Sequence, residues 1–310
     1  MKKKKILLVL LLVCTLTLTG CTSYLKDDNK KVVKVEQTGQ NLVDNILCKP
    51  TEEKTLELYS EYGKDLSKLP ECENFKVTSG GYEGIWTTIF VKPLAWLILK
   101  LGNLVNNVGL GIILITLLIR IALIPFTKSA AMQSENLKKV QPELERLEKK
   151  YKNKTDQDSM MMKSQEMLLL YKKYNINPTA GCLFSFIQLP LFMAFYEALY
   201  RLPAVFEGSF LGFELGKAPW AAFTSGDYHY IIFVILVFLV TYFSFKLNSG
   251  ATMGKEQEEQ MKMMRNISLV LIGVTSFSVS VAIALYWISN SGFTIIQNLY
   301  VKRSALKNGN

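Results

Sequence analysis

Arg120 stands inside the apolar run ITLLIRIALIP, residues 115–125. Leu117, Leu118 and Ile119 precede it, and Ile121, Ala122 and Leu123 follow. A guanidinium does not give up its proton in a protein. At the centre of a bilayer it costs about 2.5–3.5 kcal/mol on insertion scales. A chain that keeps such a charge has a use for it. Thr116 lies one helical turn earlier and shares its face. Gln188 sits midway along a second apolar segment, and Tyr286, Trp287, Ser289, Asn290 and Gln297 run along a last one. An arginine with amides, hydroxyls and an indole, and no acid at its depth, is a binding set rather than a reacting set. Only a water-filled pocket or a transient partner satisfies it.

The absences narrow the chemistry further. His229 is the only histidine, which excludes a multi-histidine metal site. There is no Walker motif, no Gly-x-Gly-x-x-Gly and no nucleophile elbow. Ion-coupled transporters place acids inside the membrane. Here Glu197 is the one candidate, near the outer end of its span. The chain therefore reads as a non-enzyme with no cofactor and no metal.

The elements that must position these residues are apolar blocks. Hydrophobic residues make up 49% of the 310 residues and are grouped rather than spread, the pattern of membrane spans. The first block is for export. MKKKK and ILLVLLLVCTLTLT form the basic and apolar parts of a signal peptide over residues 1–20. Leu18 to Cys21 reads LTGC, a lipobox ending that places a lipid on Cys21. Residues 21–83 then read as a polar extracytoplasmic tail. Cys48 and Cys72 bracket part of it. An oxidising exterior permits a disulfide between them; two free thiols fit as well.

Residues 84–106 carry Lys92, Pro93 and Lys100, with Trp86 and Trp96 flanking the centre, as in a helix lying along the interface; a short, broken transmembrane span is the alternative. Within the core, 107–303, five spans are expected at about 108–130, 178–202, 228–247, 265–277 and 280–302. The last two come from one long apolar stretch broken near TSFSVS. Residues 131–174 form a charged helical hairpin. Its stripe runs through Leu137, Val140, Leu144, Leu147 and Tyr151, and resumes at Met160, Ser164, Met167, Tyr171 and Tyr174. The fold class is thus an all-α integral membrane protein: five transmembrane helices, an interfacial amphipathic helix and a cytoplasmic hairpin.

Charge orients it. The net charge is +10. Placing residue 22 outside puts the basic segments 128–174, 246–265 and 302–307 inside, as the positive-inside bias requires. The C-terminal tail, 304–310, is then cytoplasmic, and the protein is a multi-pass bacterial cell-membrane protein with a lipid-anchored N-terminus outside. Methionines 132, 160–162, 167, 253, 261, 263 and 264 fall at or beyond the cytoplasmic ends. Such surfaces suit promiscuous apolar binding; gap-filling at helix ends fits equally.

The order of GLGIILITLLIRIALIPFTKSAAMQ, QPELERLEKKY, NPTAGCLFSFIQLPLFMAFYEAL and IALYWISNSGFTIIQ resembles the YidC/Oxa/Alb family of membrane protein insertases, in the short lipoprotein form of Gram-positive bacteria. The resemblance covers residues 84–303. SFSVSVAIALYW departs from the Phe-Pro-Ala-Gly pattern expected before the last span. The family implies insertion and chaperoning of membrane proteins without nucleotide hydrolysis. It implies a groove lined by Arg120, Thr116, Gln188, Trp287, Tyr286 and Asn290, open to cytoplasm and lipid. Nascent membrane proteins, the ribosome, the Sec translocase and membrane lipids are the implied partners. The competing reading is a small-solute or anion transporter, which predicts internal repeats and paired half-helices.

Overall fold

The computed structural model describes residues 22–35, 38–154, 156–177, 180–248 and 255–307. The expected signal peptide, the expected lipidation site Cys21, Met253 and the last three residues of the basic tail lie outside the described residues. The chain is mostly helical. It clusters into two compact units. One gathers the residues up to Thr116 with Pro190–Phe233 and Phe277–Tyr286; the other takes Leu117–Leu189, Val234–Ser276 and the residues from Trp287 onward.

In the first unit, the segment expected as a tail is a small folded body. Leu25, Val33, Val35, Leu42, Val43 and Ile46 are buried together with Tyr59 and Phe206. Short bridges join Tyr24 to Val43, Lys26 to Val32 and Lys34 to Asn41. Helix α1, Glu53–Glu61, lays Tyr59 into this core, and its hydroxyl donates to the Val43 carbonyl at 2.6 Å. Cys48 and Cys72 are disulfide-bonded, with Cα atoms 4.9 Å apart. A lysine-rich composition conceals this core because its apolar residues are few and scattered along the segment.

Helix α2, Gly84–Leu104, follows, with a π-helical turn at Thr87–Val91. Its partner α3, Val108–Ala122, returns after a turn in which Asn106 adopts a positive φ of 51°. The two pack backbone to backbone. A Cβ at Gly111 would sit 2.7 Å from the Gly102 nitrogen, a contact small residues alone permit. Later in this unit come α7 (Pro203–Phe206), the two-residue strands β1 (Ser209–Phe210) and β2 (Phe213–Glu214), and α8 (Pro219–Thr224). Leu211 and Gly212 turn the β-hairpin with positive φ values of 51° and 83°.

The second unit holds a helical hairpin, α4 (Ile124–Tyr151) and α5 (Gln157–Lys173). Val140 and Leu144 of α4 pack on Tyr171 and Ile176. Asp156 caps α5 by accepting from the Ser159 amide at 2.9 Å, which satisfies one of the free N–H groups of its first turn. Lys150 and Tyr151 both donate to Glu166, at 2.6 and 2.8 Å. The expected stripe on α5 is narrower than its sequence spacing suggested. Met167 packs against this core beside Tyr171, whereas Met160 is 59% exposed and Ser164 is exposed as well. The remaining long helices are α6 (Ala180–Tyr200), α9 (Ile231–Asn248), α10 (Lys255–Thr275) and α11 (Val281–Lys307).

Several boundaries differ from the expected spans. The run 108–130 is not one rod: it breaks at Leu123 and the axis turns by 64°. Pro125 has no N–H to continue α3 and disfavours helical geometry at the residue before it. Helix α10 spans Lys255–Thr275, so residues 255–265 of the charged inner segment and the apolar stretch after them are one helix. Helix α11 runs through Lys307 and takes in much of the basic tail. Among the described residues, Gly84–Leu104 and Tyr228–Leu247 are each long and apolar enough to cross a membrane, and α3 with α4 pass that test together. Residues 84–104, expected to lie along the interface, thus have the length and composition of a span.

Candidate functional site

Arg120 is 3% exposed. Within the second unit its Nε donates to Asn290 Oδ1 at 2.6 Å, and its Nη2 to Gln188 Oε1 at 2.8 Å. Three helices meet in that contact: α3 supplies the cation, α6 and α11 the two amides. Both acceptors are neutral. Charge-assisted hydrogen bonds of this kind are roughly twice as strong as neutral ones, and they hold the guanidinium without cancelling its charge. An arginine held by acids would be neutralised and rigid. These two amide contacts orient the guanidinium and do not themselves offset its charge.

The neighbouring polar groups continue along α11. Trp287 Nε1 donates to Thr241 Oγ1 of α9 at 2.9 Å. Gln297 Nε2 donates to Thr127 Oγ1 of α4 at 2.6 Å. Thr294 Oγ1 donates to the Asn290 carbonyl at 2.9 Å. Asn290, Thr294 and Gln297 are spaced four and three apart, so they share one helix face.

Thr116 and Tyr286 make their described contacts in the first unit. Thr116 Oγ1 donates to the Ile112 carbonyl of its own helix at 2.7 Å, the usual way a buried threonine is satisfied. Tyr286 stacks on Phe195 with ring centroids 4.4 Å apart.

A second polar cluster escaped sequence reasoning. Arg201 is 1% exposed and Glu197 4%. Arg201 Nη1 meets Glu197 Oε1 at 3.0 Å, and Nη2 meets Glu83 Oε2 at 2.5 Å. Its Nε donates to the Asn45 carbonyl at 2.6 Å. Lys92, fully buried, meets Glu83 Oε1 at 2.8 Å and donates to the Ser79 and Gly81 carbonyls, both at 2.7 Å. Trp86 Nε1 donates to Glu197 Oε2 at 2.9 Å. Two cations and two anions balance, and the folded N-terminal body, α2 and the end of α6 are joined through them. Burial works against the charge of Glu83, but hydrogen bonds from Lys92 and Arg201 outweigh it and hold the carboxyl below its ordinary range. The i,i+4 spacing of Glu197 and Arg201 was the available signal. Glu197 was read instead as an isolated acid at a span end. Lys92, read as an interfacial lysine, is a core residue.

Among the described residues no group of three or more His, Cys, Asp or Glu side chains stands where it could hold a metal ion.

Comparison with known proteins places this arrangement. A family model described as 60Kd inner membrane protein matches residues 100–308. A membrane protein insertase YidC of Oceanobacillus iheyensis is 36% identical over 226 residues, covering 71% of this chain and 85% of that protein. The membrane protein insertase MisCA of Bacillus subtilis is 34% identical over 223 residues, covering 72% and 81%. A solved structure described as the active YidC insertase, with its first transmembrane domain resolved, aligns at a TM-score of 0.50 and 27% identity. It covers 72% of this chain, which spans 48% of that longer one. By both family model and relatives, the chain belongs to the 60Kd inner membrane protein family of YidC membrane protein insertases.

Proposed function

We propose that this protein inserts membrane-protein segments by offering their polar parts the charged, hydrogen-bonding surface around Arg120. The observation that carries the reading is the buried guanidinium held by the neutral amides of Gln188 and Asn290. A polar tail crossing hydrocarbon loses its water, and each unsatisfied group costs several kcal/mol there. Next to Arg120 the tail finds donors, and an acidic tail finds attraction stronger than in bulk water because the surrounding dielectric is lower. The apolar part of the client needs no such help. It partitions sideways into lipid through its own burial. Nothing in this cycle makes or breaks a covalent bond.

The finer topology belongs to the same proposal. Five spans, α3 with the start of α4, α6, α9, the apolar half of α10 and α11, carry the core. Helix α2 lies at the outer interface, a placement that its Lys92–Glu83 tie to the N-terminal body supports. A lipid on Cys21 anchors that body outside, and the α4–α5 hairpin receives clients, the ribosome or the Sec translocase in the cytoplasm.

The test is complementation. Cells depleted of their own insertase receive wild type, Arg120→Lys or Arg120→Ala, and insertion of a short single-span client with an acidic tail is scored. Rescue by wild type and lysine but not alanine is expected. Equal rescue by all three removes the charge from the mechanism. Failure of well-expressed, membrane-located wild type moves the weight to an anion transporter.

A further inference from the structure

Within the first unit a cavity of about 230 Å3 opens beside α8, lined by Lys34, Gln40, Asn41, Trp220, Ser278 and Ser280 among others. It is small against the roughly 300–1,000 Å3 of drug-sized pockets, and it takes one ring rather than a chain. Its walls are constructed by close approach. Gly39 has a φ of +68°, and a Cβ there would fall 2.7 Å from Ala221 Cβ of α8. A Cβ on Gly216 would fall 2.9 Å from Gln40 Oε1. Both positions need glycine for the amide of Gln40 to stand where it does.

The polar groups here are unspent. Gln40 is 8% exposed and Ser280 5%, yet neither side chain, nor that of Asn41, is hydrogen-bonded to another described residue. These side chains line the cavity, where a ligand can pair with them. Lys34 has no carboxylate partner among the described residues. Trp220 is 60% exposed while its backbone amide is anchored to the Phe277 carbonyl at 2.8 Å.

We propose that this cavity binds a pyranose ring carrying an acidic substituent. Amides and hydroxyls match a ring of hydroxyl groups, each both donor and acceptor. The indole face is electron-rich and apolar, which suits the C–H face of a sugar. The single cation suits one carboxylate or phosphate. A nucleotide polyphosphate would require more positive charge than one lysine. On the topology proposed above, the cavity faces the envelope and its glycans, but sugar binding by the purified protein can be read whether or not that topology and the insertion activity hold.

The full chain in lipid nanodiscs is titrated with N-acetylmuramic acid, N-acetylglucosamine and lactate, following heat and tryptophan fluorescence. We expect the acidic sugar to bind with a Kd on the order of millimolar, N-acetylglucosamine about tenfold more weakly, and lactate not at all. Trp220→Ala, an exposed change that leaves the melting temperature in place, abolishes sugar binding. Lys34→Ala erases the difference between the two sugars. Lactate binding as tightly as the acidic sugar, no sugar binding by folded wild type, or full binding by Trp220→Ala each overturns the proposal.

Discussion

Arg120 is tolerable because two amide oxygens on other helices reach it. Removing one of them isolates part of a buried charge. Asn290→Leu leaves Nε without that acceptor, and a hydrogen bond to a charged group contributes about 1.5–3 kcal/mol. Thermal unfolding in detergent should show that loss, and Asn290→Asp should instead neutralise the guanidinium, keep stability and lower insertion of acidic-tailed clients. A different residue contributes to acid stability. The pKa of Glu83 is lowered in the fold, so its contribution is complete above the ordinary carboxylate value of 4.5 and is lost as pH falls through the folded value. The melting temperature of wild type should therefore fall more steeply than that of Glu83→Gln as pH drops below 4.5. Parallel curves would assign the acid sensitivity elsewhere. Arg201→Gln is the harsher change, since it strands Glu197 without a cation and leaves Glu83 with Lys92 alone; breaking a buried pair costs about 3–5 kcal/mol.

At the scale of elements, the helix contacts depend on small residues and on proline. Gly111 and Gly102 let α2 and α3 touch through their backbones. Gly111→Val forces them apart, and overpacking of this kind costs about 1–3 kcal/mol; a lowered melting temperature with retained helical circular dichroism is the expected result. The break at Leu123 was the least legible boundary. Hydropathy runs unchanged through ALIPF, and only Pro125 marks the point where α3 ends. Replacing that proline with alanine allows α3 and α4 to join, which a pair of spin labels on the two helices would report as a longer separation. The hairpin was easier to see. A three-four spacing from Leu137 to Tyr151 and a polar break are local signals. Its far arm was overextended because period alone cannot say which turn of a helix meets a partner. Leu170, outside the expected stripe, packs against the hairpin core where Ser164 does not.

For the whole molecule, the N-terminal body ties together what composition kept apart. It has its own core, its disulfide, and its salt-bridged connection to α2 and α6. Losing a native disulfide from a small domain costs about 2–5 kcal/mol, so mild reductant should lower the melting temperature of wild type and leave Cys48→Ser/Cys72→Ser unmoved.

Sequence alone determined the apolar blocks, the lone arginine, the charge asymmetry and the family, because each is written in residue type and order along the chain. Arg120, Gln188 and Asn290 were identifiable as polar residues out of place for the same reason. Which partners these candidates take was decided only by tertiary structure. Thr116 satisfies its own helix and Tyr286 stacks on Phe195, while residues 68 and 170 positions away supply the acceptors for Arg120. The Lys92–Glu83–Arg201–Glu197 cluster was hidden for a related reason. A buried charge looks like a surface charge in one dimension, and only the fold shows that its counter-charge has been carried out of water beside it.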